Sequence, residues 1–257
     1  MISRMGAVVA VLALTLTACM QSAPTDMSAS VPPAEPVGPI QKVQWRALAA
    51  AGDDSIAVFD NAVDEMTNIL KTHGVTRVDR FTSDPDISEA SRPIATEDSM
   101  AAALEAAPPG PGQGCLVFLT SHGGRGGLLL RGDLDHDRGL NPSALGRILD
   151  EGCGSAPTVA IVSGCYSGIF IGSVTEAPNR IILTAARDDR TSFGCGAEFQ
   201  YTYFDDCLFQ SWPKAKTWAG LYRATEACVD SKEREIDAVP SEPQAYFGSA
   251  VTNLGMP

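Results

Sequence analysis

The sequence reads as an α/β domain whose sheet is mostly parallel, and three observations carry that reading. Short apolar, β-branched runs alternate along the chain with segments of helical period, the pattern of strands joined by crossover helices. Six runs are strand-like, and those in the middle of the chain are mostly apolar, as buried strands are. Two of them run directly into glycine-containing loops.

The elements follow in order. Residues 43–51 form the first strand and lead into a loop with Gly52, Asp53 and Asp54. Val63, Met66 and Leu70 then fall at helical spacing, with Asn61 as a candidate cap and Gly74 as a stop. Arg77 to Phe81 is a second, weaker strand. Met100 to Ala107 is helical and stops at Pro108-Pro109, where backbone donors are lost. Leu116 to Thr120 is a buried strand before a glycine-rich loop. Asn141-Pro142 supplies a cap and a first-turn proline for a helix running through Leu149. Thr158 to Ser163 and Arg180 to Ala185 are further buried strands, Tyr201 to Trp212 and Lys216 to Glu235 are helices, and Gln244 to Val251 is the last strand.

The N-terminus sets the compartment. Met1 to Arg4 carries a positive charge, and Gly6 to Leu16 is an apolar run too short to span a bilayer, which together read as a signal peptide. Leu16-Thr17-Ala18-Cys19 resembles a bacterial lipobox, which implies removal of residues 1–18 and lipidation of Cys19. Each buried methylene of an acyl chain adds about 0.8 kcal/mol, so dual acylation gives a stable anchor. Residues 19–41 contain Pro24, Pro32, Pro33, Pro36 and Pro39 among Ser, Ala and Thr, and form a linker rather than a core. Extended at about 3.1 Å per residue, it reaches on the order of 60 Å. Residues 42–257 are then one domain, exported and tethered on the periplasmic side of the cell envelope. Met20 is not the Asp associated with inner-membrane retention, so the outer membrane is preferred.

The chain has 19 Lys plus Arg against 31 Asp plus Glu, a formal net charge of −12. That balance argues against nucleic acid or anionic lipid headgroups, leaving the lipid anchor as the membrane contact. Export makes disulfides available to the seven cysteines. Cys115 and Cys153 each lie just before a strand that delivers a reactive side chain, and adjacent parallel strands would bring those starts together, so a disulfide is expected there. With Cys19 lipidated and Cys165 free, an odd number remains and at least one further thiol is unpaired within the chain. The absence of any Cys-x-x-Cys pair and a total of three His argue against zinc, and no cofactor is implied.

The chemistry is expected where strands end, because open parallel sheets place their sites at the carboxyl ends of strands. Leu116-Val117-Phe118-Leu119-Thr120 runs into Ser121-His122-Gly123-Gly124, and Val159-Ala160-Ile161-Val162-Ser163 runs into Gly164-Cys165-Tyr166-Ser167-Gly168. On neighbouring strands, His122 and Cys165 face one cleft. The attacking species is a thiolate, which a nearby imidazole generates by taking the thiol proton. An imidazole, ordinarily titrating near pH 6.5, is also suited to protonate a leaving amine. Gly123 and Gly164 let backbone amides approach a substrate carbonyl.

These two motifs resemble the His-Gly and Cys motifs of the legumain family of cysteine peptidases, in the caspase-like clan, which also contains the GPI-anchor transamidase catalytic subunit. The segment from Ser121 to Gly127 is similar to the latter's His-Gly-Gly loop. The similarity extends through Thr184-Ala185-Ala186, Thr191-Ser192 and Tyr203-Phe204-Asp205-Asp206. It implies a caspase-like fold, with a mostly parallel six-stranded sheet flanked by helices on both faces. It also implies His122 and Cys165 as the catalytic dyad and the backbone amides of Gly123 and Cys165 as oxyanion donors. Peptides or proteins are the implied substrates, cleaved through a thioester acyl-enzyme. The substrate pocket falls on Asp60, Asn61, Ser163, Thr191, Ser192 and Asp206. Where legumains carry an acidic residue this chain has Ser163, and where they carry an Arg it has Asp60. Two carboxylates, Asp60 and Asp206, with no evident cation favour a Lys or Arg before the scissile bond. The resemblance leaves open a transamidase or ligase using the same dyad, and a non-catalytic envelope lipoprotein that retains the fold.

Other candidate sites are weaker. Asp133-x-Asp135-x-Asp137 has calcium-loop letters, but Gly139 is one position late and Ala144 stands where the bidentate Glu belongs. Arg131-Gly132-Asp133 reads as a turn. The glycines 123–127 lack a following Lys-Ser/Thr, which excludes a phosphate loop. Ser167 lacks the Gly-x-Ser-x-Gly frame of a serine nucleophile. His73, at a helix end, and His136, among carboxylates, read as capping and solvated residues.

Overall fold

The computed structural model describes residues 38–132 and 139–257. The proposed signal peptide, Cys19, residues 19–37 of the linker and the acidic segment around His136 lie outside them. Strands β1 (Gln44–Ala51), β2 (Arg77–Phe81), β3 (Gln113–Thr120), β6 (Thr158–Ser163), β7 (Arg180–Thr184) and β8 (Gln244–Phe247) form one sheet in the order β2-β1-β3-β6-β7-β8. All pairs are parallel except β7 with β8. Two short strands, β4 (Gly123–Gly124) and β5 (Gly127–Leu128), form a separate antiparallel hairpin.

The sheet is covered on both faces, which is why its central strands β3, β6 and β7 are apolar over most of their length. Because side chains alternate across a strand, Ala47, Ala49, Leu116, Phe118, Val159 and Ile161 face one layer. That layer holds α1 (Val58–Thr72), α4 (Tyr203–Ser211) and α5 (Trp218–Glu235). Leu48, Val117, Leu119, Ala160 and Val162 face the other, with α2 (Glu97–Glu105) and α3 (Pro142–Cys153). Cys115 points into this second layer and bonds Cys153 at the end of α3, with Cα atoms 5.8 Å apart, so the expected disulfide forms. A second disulfide, Cys207–Cys228, joins α4 to α5. Cys165 and Cys195 are free.

Helix starts differ from the sequence reading. α1 begins at Val58 after Ala57, with no side-chain cap, and Asn61 instead donates to the Gln200 carbonyl at 3.1 Å. Its stop at Gly74 holds, with φ at +86° and the Val75 amide bonded to the Leu70 carbonyl, a closure that glycine makes without strain. α2 begins three residues early because Thr96 and Ser99 cap it reciprocally. α3 is capped by the Asn141 side chain as expected. No helix among the described residues is long and apolar enough to cross a membrane.

Candidate active site

β3 and β6 are adjacent and parallel, with Thr120 opposite Ser163. Two residues beyond each lie His122 and Cys165, on the same end of the sheet. The pairing continues past the strands, since the Ser121 amide donates to the Ser163 carbonyl at 3.1 Å. The backbones then close on each other: a Cβ at Gly123 would stand 2.1 Å from the Cys165 carbonyl oxygen and 3.0 Å from its nitrogen. Only glycine permits that approach, so the backbones of the two loops run in direct contact at Gly123 and Cys165.

Cys165 is followed by a tight left-handed turn. Tyr166 has φ +58°, its amide donates to the Arg190 carbonyl at 2.7 Å, and a short 3-10 turn from Ser167 to Phe170 follows. A non-glycine residue in this conformation is uncommon and costs backbone energy, so the turn is held by its surroundings. The Ser167 hydroxyl accepts from the buried Ala186 amide at 3.1 Å, which gives Ser167 a structural task and no nucleophilic one. The Cys165 sulfur is half-buried, accepts from the Ser192 amide at 3.3 Å and lies 3.6 Å from its hydroxyl. Cys195, three residues beyond Ser192, has its thiol pushed up by burial and by the charge of Cys165.

His122 packs edge-on against Phe59 of α1, with ring centroids 5.1 Å apart. Its carbonyl accepts from the Leu129 amide at 2.8 Å, so the loop returns on itself through the β4–β5 hairpin. At the hairpin tip, the Arg125 guanidinium lies 5.3 Å above the Tyr166 ring, joining the two loops. Beside His122 is a cavity of about 490 Å³ lined by Gly123, Gly124, Gly127, Leu128 and Asn141 among others.

The other sequence-derived pocket residues are scattered around this centre. Ser192 touches Cys165, while Thr191 is exposed. Ser163 is buried and points to Thr202, Oγ to Oγ1 at 3.5 Å. Asp60 and Asp206 each have a cationic partner, so the premise that no cation stands near them does not hold. Asp60 is bound by Arg92 at 2.5 Å and Asp206 by Lys232 at 2.8 Å. Nor does Asp60 cap α1, although burial pushes its carboxyl up. Arg92 and Lys232 come from elements distant in the chain, and no local pattern announces them.

Around the same end, Asp53 is buried under Arg131 and bonded to it at 2.9 Å. Burial would raise that carboxyl, but hydrogen bonds from Ser55 and Arg131 outweigh it and hold it below its ordinary value. Among the described residues no group of three or more His, Cys, Asp or Glu is placed to hold a metal ion. The sequence assigns no site role to Phe59, Arg125, Thr120, Thr202 or Asp205. Only the motif Thr202-x-x-Asp205, a cap followed by a first-turn acid, carried a local signal.

A profile of the Peptidase C13 family matches residues 102–225, a span that includes both strands and both reactive side chains. Among solved structures, the chain is similar to the "structure of pro-sf-caspase-1", with 13% sequence identity and a TM-score of 0.56. The match covers 80% of this chain and 92% of that one. A search of curated proteins finds no match. The fold is caspase-like, and the family match supports a cysteine-peptidase type of function.

Proposed function

We propose that this chain is a cysteine endopeptidase in which Cys165 is the nucleophile and His122 the general acid–base. The observation that supports this best is the β3–β6 register, which puts both residues two positions past paired strand ends, with Gly123 pressed against the Cys165 backbone. In the first step His122 takes the thiol proton and sulfur adds to the substrate carbonyl carbon. The resulting oxyanion is met by the Gly123 and Cys165 amides. The Ser192 amide donates to sulfur, a bond that strengthens when sulfur carries charge. Collapse of the adduct expels the amine, which receives its proton from His122, and leaves a thioester. Water, deprotonated by His122, then releases the acid and restores the thiol.

The test is covalent. A peptide acyloxymethyl ketone should label Cys165, found by mass mapping, and His122→Ala should abolish labelling. Labelling that persists in His122→Ala, or that maps to Cys195, would remove the dyad.

The same proposal places the domain outside the cytoplasm, tethered through an acylated Cys19. Two disulfides, Cys115–Cys153 and Cys207–Cys228, suit an oxidising compartment. The mass of the N-terminal peptide from the membrane fraction checks this; an unmodified Cys19 counts against it.

A further inference from the structure

One buried acid lies under the reacting strands without a part in the chemistry above. Asp205, in the first turn of α4, is 0 % exposed. Its Oδ2 accepts from the Thr120 hydroxyl at 2.8 Å. Its amide donates to the Thr202 hydroxyl at 3.1 Å, and that hydroxyl is 3.5 Å from the Ser163 hydroxyl. Thr120 and Ser163 are register partners and the last residues of β3 and β6. The three-way junction of β3, β6 and α4 is thus made of hydroxyls gathered around one carboxyl.

The junction is costly. Oδ1 of Asp205 has no hydrogen-bond partner, and burying a carboxyl without full satisfaction is unfavourable. Burial pushes the group up to about 6. An apolar side chain would fill this place without the penalty, and a helix-capping role needs no buried carboxylate, since Thr202 already caps α4. What the carboxyl does, and an apolar group would not, is hold the Thr120 hydroxyl at a fixed distance from the helix that also anchors Ser163.

We propose, on the basis of the peptidase reading above, that Asp205 is a positioning residue that sets the relative height of the β3 and β6 ends and so of His122 and Cys165. It touches neither substrate nor the reacting atoms, so its loss falls on the rate of the chemical step and not on substrate affinity. A shift of a few tenths of an ångström between the two strand ends is transmitted over only two residues to the imidazole and the sulfur.

The full chain is compared with Asp205→Asn, Asp205→Ala and Thr120→Val, reading the inactivation rate and the apparent affinity of a peptidyl acyloxymethyl ketone, together with kcat and KM. Asp205→Ala and Thr120→Val should each lower the inactivation rate and kcat roughly 10- to 100-fold while KM stays within about threefold. Asp205→Asn, whose amide oxygen still accepts from Thr120, should stay within about threefold of the parent. Wild-type rates in both Asp205→Ala and Thr120→Val, a loss confined to KM, or an Asn variant as impaired as the Ala variant would overturn the assignment. Should Asp205→Ala fail to fold, Thr120→Val and Asp205→Asn decide in the same terms. A parent chain whose Cys165 is alkylated by iodoacetamide yet is never labelled by a peptidyl probe would instead remove the peptidase reading, and this proposal with it.

Discussion

The loop after β6 is fastened at every residue from 163 to 168, whereas the loop after β3 is fastened at its base and open at its tip. Ser163 meets Thr202, Gly164 packs on the Ser121 carbonyl, Cys165 meets Ser192, and Tyr166 donates to the Arg190 carbonyl. Ser167 holds Ala186, and Gly168 packs on the Arg187–Asp188 backbone. In the other loop, Gly123 and Gly127 are pressed against backbone, but a Cβ at Gly124 or Gly126 would meet nothing within 4 Å. Cys165 therefore sits in a turn that is bonded or packed at each residue. His122 precedes a hairpin that is packed at Gly123 and has open space around Gly124 and Gly126, and a cavity lies beside it. The two loops therefore differ in how much an added side chain would disturb them.

This contrast can be broken first at the point where the two loops touch. Gly123→Ala puts a methyl group where the Cys165 carbonyl oxygen stands, so the loops must part and the amide donors with them. The expected loss in kcat is roughly 10²- to 10³-fold, the scale of a lost oxyanion donor, with the circular dichroism spectrum unchanged. Activity within tenfold of the parent would mean that the close approach is dispensable.

The next effect concerns the floor beneath both loops. Burial, reinforced by Asp206 and opposed by the Thr120 hydroxyl, raises the Asp205 carboxyl to about 6 from an ordinary 3.8. The folded chain then holds a proton between those values that the unfolded chain has released. Stability from this group is therefore present below about pH 4 and is lost as pH rises to about 6, by about 3 kcal/mol at most. Urea unfolding from pH 4 to 7 should show that slope in the parent and a flatter curve in Asp205→Asn. Superimposable curves would show that the group titrates normally.

Within the fixed loop, Ser167→Ala strands the buried Ala186 amide and should cost about 1–3 kcal/mol in chemical denaturation. In the open loop, Arg125→Ala removes a guanidinium resting on Tyr166, an exposed contact worth about 0.5–1 kcal/mol. It should raise KM a few-fold with kcat unchanged; a kcat effect would make the contact part of the reacting frame. Smallest of all is Gly126→Ala, expected to change stability by less than about 0.5 kcal/mol and activity by less than twofold. Comparing it with Gly123→Ala, the same substitution three residues away, measures directly how quickly constraint falls off along the loop.

Much of this arrangement was legible before folding was considered. All six strands of the sheet, the glycine stop of α1, the cap of α3 and the Cys115–Cys153 bond follow from local pattern and from the parallel pairing it implies. The two reactive side chains were visible because each directly follows an apolar run, and parallel sheets gather such ends by topology alone. Helix starts were read less well, since α1 has no side-chain cap to read and α2 uses a Ser where a Glu or Gln is the usual partner.

What sequence alone determined, then, is the strand set, its mostly parallel order and the pair His122 and Cys165, because strand period and strand-end position are properties of consecutive residues. Tertiary structure decided which charges remain unpaired. Arg92 reaches Asp60 and Lys232 reaches Asp206 only after separate elements pack, which supplies the cations that the isolated segments lack. Packing likewise joined Cys207 to Cys228 across two helices and enclosed Asp205 beneath the ends of β3 and β6. The electrostatic state of a side chain depends on burial and on partners within a few ångströms, and neither is a property of its neighbours in sequence.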